Sequence, residues 1–577
     1  MRRFFVCVFA VSLLYALGLG SVSAQPAPSM ASPYLAVRTV ASGLSQPLAI
    51  EFLGEDDFLI TEKGTGRVQR VVNGQIHSTV LDLAVNSASE RGLLGMALHP
   101  DFPEDPGVYL YWTESSTGAD TNVTANTTLL GNRVDRFTWD GSTLAFDRNI
   151  VRLRALQPPN PPIENGQFGN HDGGVIRFGP DGKLYIFIGD TGRRGNMQNL
   201  PCGPTPTCPG PTVPDDQFGG PAPDDAHLTG VMLRLNDDGT APTDNPFHGV
   251  GAAMGGEVGA NIQKLHSYGH RNAIGMDFDP RSGHLWLAEN GDDTFTELNR
   301  VDRGMNGGWV QIMGPLERLA QFRESETGPF RGLQQSRWSP DNIKMTAAEA
   351  LDAMYMLPGA HYSDPEFSWR FEVAPAGLGF VDGRALGPQY DGDMITGAAR
   401  NFLEGGQLFR FDLHKNRRTI LPSDPRLADG VADNLAKYDI TESESLRFGR
   451  DFGIATEIET APNGNLYVVS LSLGSVFEIY RVAPTFAEAH DALDDLAAAG
   501  GITEGLEGKI RHALEMAEEW LDDENRYGPA LSHLERAVRL LEWQIGVIED
   551  KGKTGQGDPE GLRELADLLA DLLESLR

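Results

Sequence analysis

In this chain of 577 residues, His171 and Asp190 are the first pair whose types and spacing suit proton transfer. His171 sits in Gly169-Asn-His-Asp-Gly-Gly174, directly before the apolar segment Val175-Ile-Arg-Phe-Gly-Pro-Asp-Gly-Lys-Leu-Tyr-Ile-Phe-Ile188, and Asp190 follows that segment. If the segment is a hairpin with strands 175–178 and 184–188, its two flanks lie side by side and imidazole meets carboxylate. A carboxylate on one ring nitrogen fixes the tautomer and leaves the other nitrogen as a base. A histidine hydrogen-bonded only for loop structure gives the same spacing. Arg271, in Ser267-Tyr-Gly-His-Arg-Asn-Ala-Ile-Gly275, falls just before the next hairpin. Its planar fork suits a carboxylate or carbonyl oxygen, although a structural ion pair uses it equally well. Ala288-Glu-Asn-Gly-Asp-Asp-Thr-Phe-Thr-Glu-Leu-Asn299 follows, and hard oxygens at that density suit Ca²⁺, as they suit a plain solvated acidic loop.

The elements that must position these residues recur along the chain. An apolar strand, a Pro/Asp/Gly turn and a second apolar strand start near residues 50, 96, 175, 276, 377 and 458. Proline presets one backbone angle, and Asn or Asp followed by Gly tolerates the left-handed position of a tight turn. Six such hairpins, some separated by long loops, predict an all-β six-bladed β-propeller, with a β-sandwich as the alternative. The 67 glycines agree with a turn-rich fold. After Pro484 the pattern changes. Residues 484–577 hold 22 acidic and 9 basic side chains, and Leu534, Val538, Leu541, Ile545 and Ile548 form one helical stripe. Helices are expected near 485–499, 504–523 and 559–576 as well, forming a small all-α helical bundle whose stripes are its own core.

Composition removes some functions. With 48 Lys+Arg against 80 Asp+Glu the net charge is −32, which excludes nucleic acid and an anionic membrane as non-specific partners. Arg2 and Arg3, an apolar run from Phe4 to Leu19 and the ending Ser21-Val-Ser-Ala24 predict a signal peptide over 1–24, hence a periplasmic or secreted protein. No later stretch has membrane length, so no membrane span is expected. Cys202 and Cys208 in an oxidising compartment suggest a local disulfide. The expected organisation is 1–24 signal, 25–39 linker, 40–483 propeller and 484–577 helical bundle. Gly552-Lys-Thr554 and Asp523–Gly528 fail the spacing of a phosphate loop and of a calcium loop.

Taken together, the motifs resemble those of the soluble quinoprotein sugar dehydrogenases, the glucose/sorbosone dehydrogenase family. Glu90-Arg-Gly-Leu-Leu-Gly-Met-Ala-Leu-His-Pro-Asp-Phe102 is similar to the first signature; His171-Asp-Gly-Gly with Phe178-Gly-Pro-Asp-Gly and Ile188-Gly-Asp190 is similar to the second. Gly269-His-Arg-Asn272 with 289–299 is similar to the third. The resemblance covers roughly 40–482 and implies a six-bladed propeller binding pyrroloquinoline quinone (PQQ) and Ca²⁺. It implies an aldose sugar as substrate, oxidised at its anomeric hydroxyl to a lactone, and an artificial or protein electron acceptor. By the same resemblance His171 is the general base, Asp190 orients it and Arg271 polarises the quinone. Glu90, Asn272, Arg400 and Arg450 contact the cofactor, and Gly291, Asp292 and Glu297 hold the metal. Phe448 stands where the family has a second arginine, and Asp292 where it has a proline. Because PQQ is a tricarboxylate, the net field of this chain opposes it. That field is screened beyond about 8–10 Å, so the local cations decide. Two other functions fit the same scaffold: a non-catalytic propeller binding a carbohydrate or protein partner, and a metal-dependent lactonase.

Overall fold

The computed structural model describes residues 26–155, 170–191, 196–199, 228–327, 343–398, 405–522, 526–551 and 557–577. The turn chemistry produces the hairpins. Ile176–Phe178 pairs antiparallel with Leu184–Ile188, Ile176 opposite Ile186 and Phe178 opposite Leu184. Between them Gly182 takes a φ of 68°, the Gly179 N–H donates to the Lys183 carbonyl (2.9 Å), and Asp181 Oδ1 accepts from the Lys183 N–H (3.1 Å). Equivalent hairpins form within 47–62, 93–115, 273–289, 375–398 and 455–470.

Each hairpin is the inner pair of a larger sheet, and the described strands make six sheets of four to six strands. The inner strands Pro47–Gly54, Leu93–Leu98, Ile176–Phe178, Ala273–Phe278, Pro375–Phe380 and Ala455–Thr460 lie against one another in chain order, and the last lies against the first. This closed ring is a β-propeller. The second strands Leu184–Ile188, Leu285–Glu289 and Leu466–Ser470 are buried at every residue, because neighbouring sheets cover both faces. They therefore appear in sequence as unbroken apolar runs. The outer strand Gln75–Asp82 has one face in water and reads as polar.

The N-terminus closes the ring. Leu35–Ser42 is the outermost strand of the sheet that contains Ser475–Arg481, and Ser29–Met30 pairs with Gly449–Arg450. Residues 25–39, expected as a linker, are thus partly propeller. Their partners stand over 400 residues away, beyond any local pattern: Arg38 meets Glu478 at a separation of 440. The helices Phe486–Ala498, Glu504–Asp522, Tyr527–Lys551 and Pro559–Ser575 follow. A capping box starts the first, with the Glu488 N–H donating to Thr485 Oγ1 (3.1 Å) and the Thr485 N–H to Glu488 Oε2 (2.7 Å). Leu534, Leu541 and Ile545 are buried and share one core with Leu493, Ile510, Leu514 and Leu569, drawn only from this C-terminal part of the chain. Arg481 joins the two parts by donating to Ser575 Oγ (3.0 Å). Among the described residues no helix is long and apolar enough to cross a membrane.

The inner strands also bring Glu51, Arg177, Asp277, Glu457 and Glu459 together on the ring axis. Arg177 bonds Glu457 and stands 3.8 Å from Asp277, so one guanidinium serves four carboxyls. Burial pushes Glu51 up to about 8, Glu457 to about 7 and Asp277 to about 6, against the pull of Arg177. Glu459 is raised as well, by burial and then by Glu51. A carboxyl raised in the folded state is still protonated where the unfolded chain has ionised it. Stability from this cluster is therefore present at low pH and is lost as pH rises from the ordinary carboxylate range to about 8. The melting temperature is expected to fall across that window, and Glu51→Gln with Glu459→Gln should flatten the fall. An unchanged slope in thermal melts followed by circular dichroism would show that the channel carboxyls do not set it.

Candidate active site

The hairpin 175–188 does bring its flanks together. His171 Nδ1 and Asp190 Oδ1 are 2.7 Å apart, with both residues buried. Asp190 accepts a second hydrogen bond from Trp309 Nε1 (2.7 Å). His171 itself has a φ of 63°, unusual for a residue with a Cβ. Its backbone is held there by Glu90 Oε2, which accepts from the His171 N–H (2.7 Å). Next to it, Asp172 Oδ1 accepts from Asn132 Nδ2 (2.8 Å) and the Asp172 carbonyl from Tyr111 (2.8 Å), and burial pushes the Asp172 carboxyl up to about 7.

Arg271 arrives at the same place from the next sheet. The Asp190 N–H donates to the Arg271 carbonyl (2.8 Å). The close approach requires Gly189, where a Cβ would stand 2.5 Å from the His171 carbonyl and 2.8 Å from that of Arg271. Glu289 holds the turn: Oε1 accepts from the Arg271 N–H (2.5 Å), and Oε2 lies 2.9 Å from His270 Nδ1. His270, with Ser267 Oγ 2.9 Å from its Nε2, is a structural histidine. The guanidinium of Arg271 lies over the Trp309 ring, 5.5 Å from its centroid. Arg271 Nη1 donates to the Asn290 carbonyl (2.9 Å) and Nη2 to Asp292 Oδ1 (3.3 Å). Asn272 Nδ2 donates to Glu90 Oε2 (3.1 Å), so Glu90 links the histidine segment to the arginine segment.

His171, Arg271, Asn272 and Glu90 all line one cavity of about 1090 Å³ at the mouth of the ring. Two polar atoms there, Arg271 Nε and Asn272 Oδ1, are buried without a hydrogen-bond partner among the described residues. The wall holds three further cations, Lys63, Arg177 and Lys437, and the ring of Tyr438. Burial lowers the Lys63 ammonium to about 8, with Glu90 acting to raise it.

Other expected positions are not brought here. Gly291 and Asp292 line the cavity, whereas Glu297 does not; its carboxylate accepts from Asn299 Nδ2 (2.9 Å) and from the Gly314 N–H. Burial and neighbouring Glu289 push Glu297 up to about 8. Glu297 therefore does not join Gly291 and Asp292 at the cavity; Asp292 lies instead with Asp293 and Glu326, one carboxylate oxygen from each within 4.8 Å of the others. Arg450 is exposed, its Nε donates to Ser29 Oγ (3.3 Å), and it is not among the residues that line the cavity. Phe448, in place of an arginine, packs against Tyr390 with ring centroids 5.6 Å apart. Arg400, Cys202, Cys208 and the signal segment lie outside the described residues. Sequence reasoning missed Trp309, Lys63, Arg177, Lys437 and Tyr438. Trp309 and Lys437 sit in long connections without periodicity, and only the tryptophan beside Gly307 and Gly308 offered a local signal.

The family model for glucose / sorbosone dehydrogenase matches residues 44–318. Quinoprotein glucose dehydrogenase B of Acinetobacter calcoaceticus is 29% identical over 283 residues, 48% of this chain and 52% of that one. The chain thus spans about half the length of that relative. An aldose sugar dehydrogenase of Escherichia coli is 27% identical over 368 residues, 63% of this chain and 78% of that one. Among solved structures, the soluble aldose sugar dehydrogenase of Escherichia coli in its apo-form has a TM-score of 0.50 at 21% identity, covering 78% of this chain and 99% of that one, a likeness of fold. Residues 44–318, which carry the His171, Asp190, Arg271 and Asn272 motifs, are thus similar to the glucose/sorbosone dehydrogenase family.

Proposed function

We propose that this cavity oxidises the anomeric C–OH of an aldose sugar to the lactone, with PQQ as the oxidant and His171 as the base. The observation that carries the reading is the imidazole held by a buried carboxylate on the same cavity wall as the Arg271 guanidinium. The six sheets are read as six blades whose inner ends form that wall. PQQ fits the residues present: the cavity offers four cations, the orphaned Arg271 Nε and Asn272 Oδ1, and an aromatic ring at Tyr438. When bound, the quinone supplies a two-electron acceptor for the hydride on the sugar carbon.

The chain's own residues do the rest. Asp190 at Nδ1 keeps the ring proton on that side and makes Nε2 of His171 the basic atom, which takes the hydroxyl proton as the hydride leaves. Arg271 sets its positive charge beside the cavity, its fork already fixed by Asn290, Asp292 and the Trp309 face, where charge developing on a ligand oxygen would be stabilised. Glu90 holds His171 and Asn272 at one spacing. No step passes through calcium, because Lys437 and Arg271 meet the loop oxygens of 292 and 293. An exported location, through 1–24, and an external electron acceptor belong to the same reading, as does the 202–208 disulfide.

Protein reconstituted with PQQ and followed by dye reduction over a sugar panel should show sugar-dependent turnover, and His171→Gln should lower kcat by about 10²–10⁴. No turnover with any aldose would defeat the assignment. Trp309→Phe keeps the ring under Arg271 but removes one donor from the buried Asp190 carboxylate, a loss of about 1–3 kcal/mol. The less stabilised carboxylate then favours the imidazolium. The acid limb of the kcat/KM profile should move to higher pH with KM little changed; a profile that stays in place would exclude Trp309 from tuning the base. Deleting 484–577 should leave sugar oxidation intact, since no cavity residue lies there. A folded but inactive truncation would contradict this.

A further inference from the structure

One carboxylate oxygen from each of Asp292, Asp293 and Glu326 lies within 4.8 Å of the others, on the loop that follows Asn290 and a helix beside it. Like charges this close repel strongly in a partly buried site unless cations stand among them. Two cations do. Lys437 Nζ donates to Asp293 Oδ1 (2.6 Å) and to the Asp292 backbone carbonyl (3.0 Å). Arg271 Nη2 donates to Asp292 Oδ1 (3.3 Å). Glu326 Oε1 accepts from the Asp293 N–H (3.2 Å), which ties the third carboxylate to the same loop.

The lysine comes from a remote segment that is itself anchored. The Tyr438 N–H donates to the Glu372 carbonyl (2.8 Å), and both Lys437 and Tyr438 face the cavity. A hard divalent ion on this loop would take a carbonyl and carboxylate oxygens at about 2.3–2.6 Å. The ammonium already stands 2.6 and 3.0 Å from two of those oxygens, so ion and lysine cannot share the place.

We propose that Lys437 is the resident cation of the 290–293 loop, its ammonium occupying the place a divalent ion would take, so that calcium competes with this side chain instead of adding to it. The inference concerns loop order and metal exclusion and does not depend on sugar oxidation. The test is calcium titration of the full chain by calorimetry, with thermal melts in chelator and in calcium, using neither quinone nor sugar. The wild type should show no calcium binding that Asp292→Asn removes, and chelator should not move its melting temperature through this loop. Lys437→Met keeps the apolar stem and removes the charge. It should gain a calcium site at least about tenfold tighter than any on the wild-type loop, a factor of about 1.4 kcal/mol. Asp292→Asn should abolish that gain, and calcium should restore the melting temperature lost in the lysine variant. Lys437→Arg should keep calcium out. Wild-type binding lost in Asp292→Asn, or a Lys437→Met protein that gains no site, would overturn the proposal. If Lys437→Met does not fold without calcium, refolding with and without the ion gives the same reading: recovery only with calcium supports the exchange, and no recovery in either refutes it.

Discussion

Asp190 is the point on which the cavity depends. A carboxylate with no exposed surface is tolerated only if donors surround it. Here the donors are the imidazole of His171 and the indole of Trp309, and the backbone N–H of the same residue reaches the Arg271 carbonyl. One buried acid thereby holds the His171 ring, the plane of the indole and the path of the arginine segment. The indole in turn supplies the face on which the guanidinium lies. Imidazole and guanidinium are coupled through rigid groups in contact, and neither can turn without disturbing Asp190.

Such a knot needs chain segments that are far apart to end at one place. Glu90 and His171 are 81 residues apart, Asp190 and Trp309 119, and Glu90 and Asn272 182. A ring of sheets meets this requirement because every inner strand ends on the same axis, and sealing the ring with 35–42 against 475–481 fixes the spacing between neighbours. The site lies where three segments crowd so closely that residue 189 has no room for a Cβ. The cost of placing His171 in a left-handed conformation, of order 1 kcal/mol, is carried by this same crowding.

What the sequence revealed follows from how local each cause is. The hairpins were legible because their turns are written in Pro, Asp and Gly within a few residues, and their burial on both faces leaves unbroken apolar runs. The His171–Asp190 pair was legible for the same reason, since a hairpin of known length returns its second flank to the first. The helical bundle was legible from one stripe of period 3.6. By contrast, Trp309 and Lys437 reach the cavity through connections whose course is set only by tertiary packing. Arg450 illustrates the opposite error: its motif matches, but its short strand pairs with Ser29–Met30 and carries the guanidinium to the surface. Phe448, two residues earlier, turns inward to a ring at Tyr390, so this strand has exchanged a charged role for an apolar one.

On the proposed reading, an acidic protein must receive a tricarboxylate, and the charges on the cavity wall decide how. Most wall cations are already engaged: Arg177 by Glu457, Lys437 by Asp293, and Arg271 in part by Asp292. An incoming anion therefore gains less from these groups than their number suggests, because each must be shared with a resident carboxylate. Lys63 differs. Its Nζ donates to the carbonyls of Ser87 and Ser89, and burial has brought it near half-charged at about pH 8. A carboxylate placed beside it restores the full charge, so the attraction strengthens as the ligand arrives. The overall charge of −32 acts from beyond the screening length, whereas Lys63 acts from the cavity wall itself. On the proposed reading, attraction for an anionic planar ligand thus rests most on Lys63, the wall cation with charging capacity left, and on the walls that hold it in place.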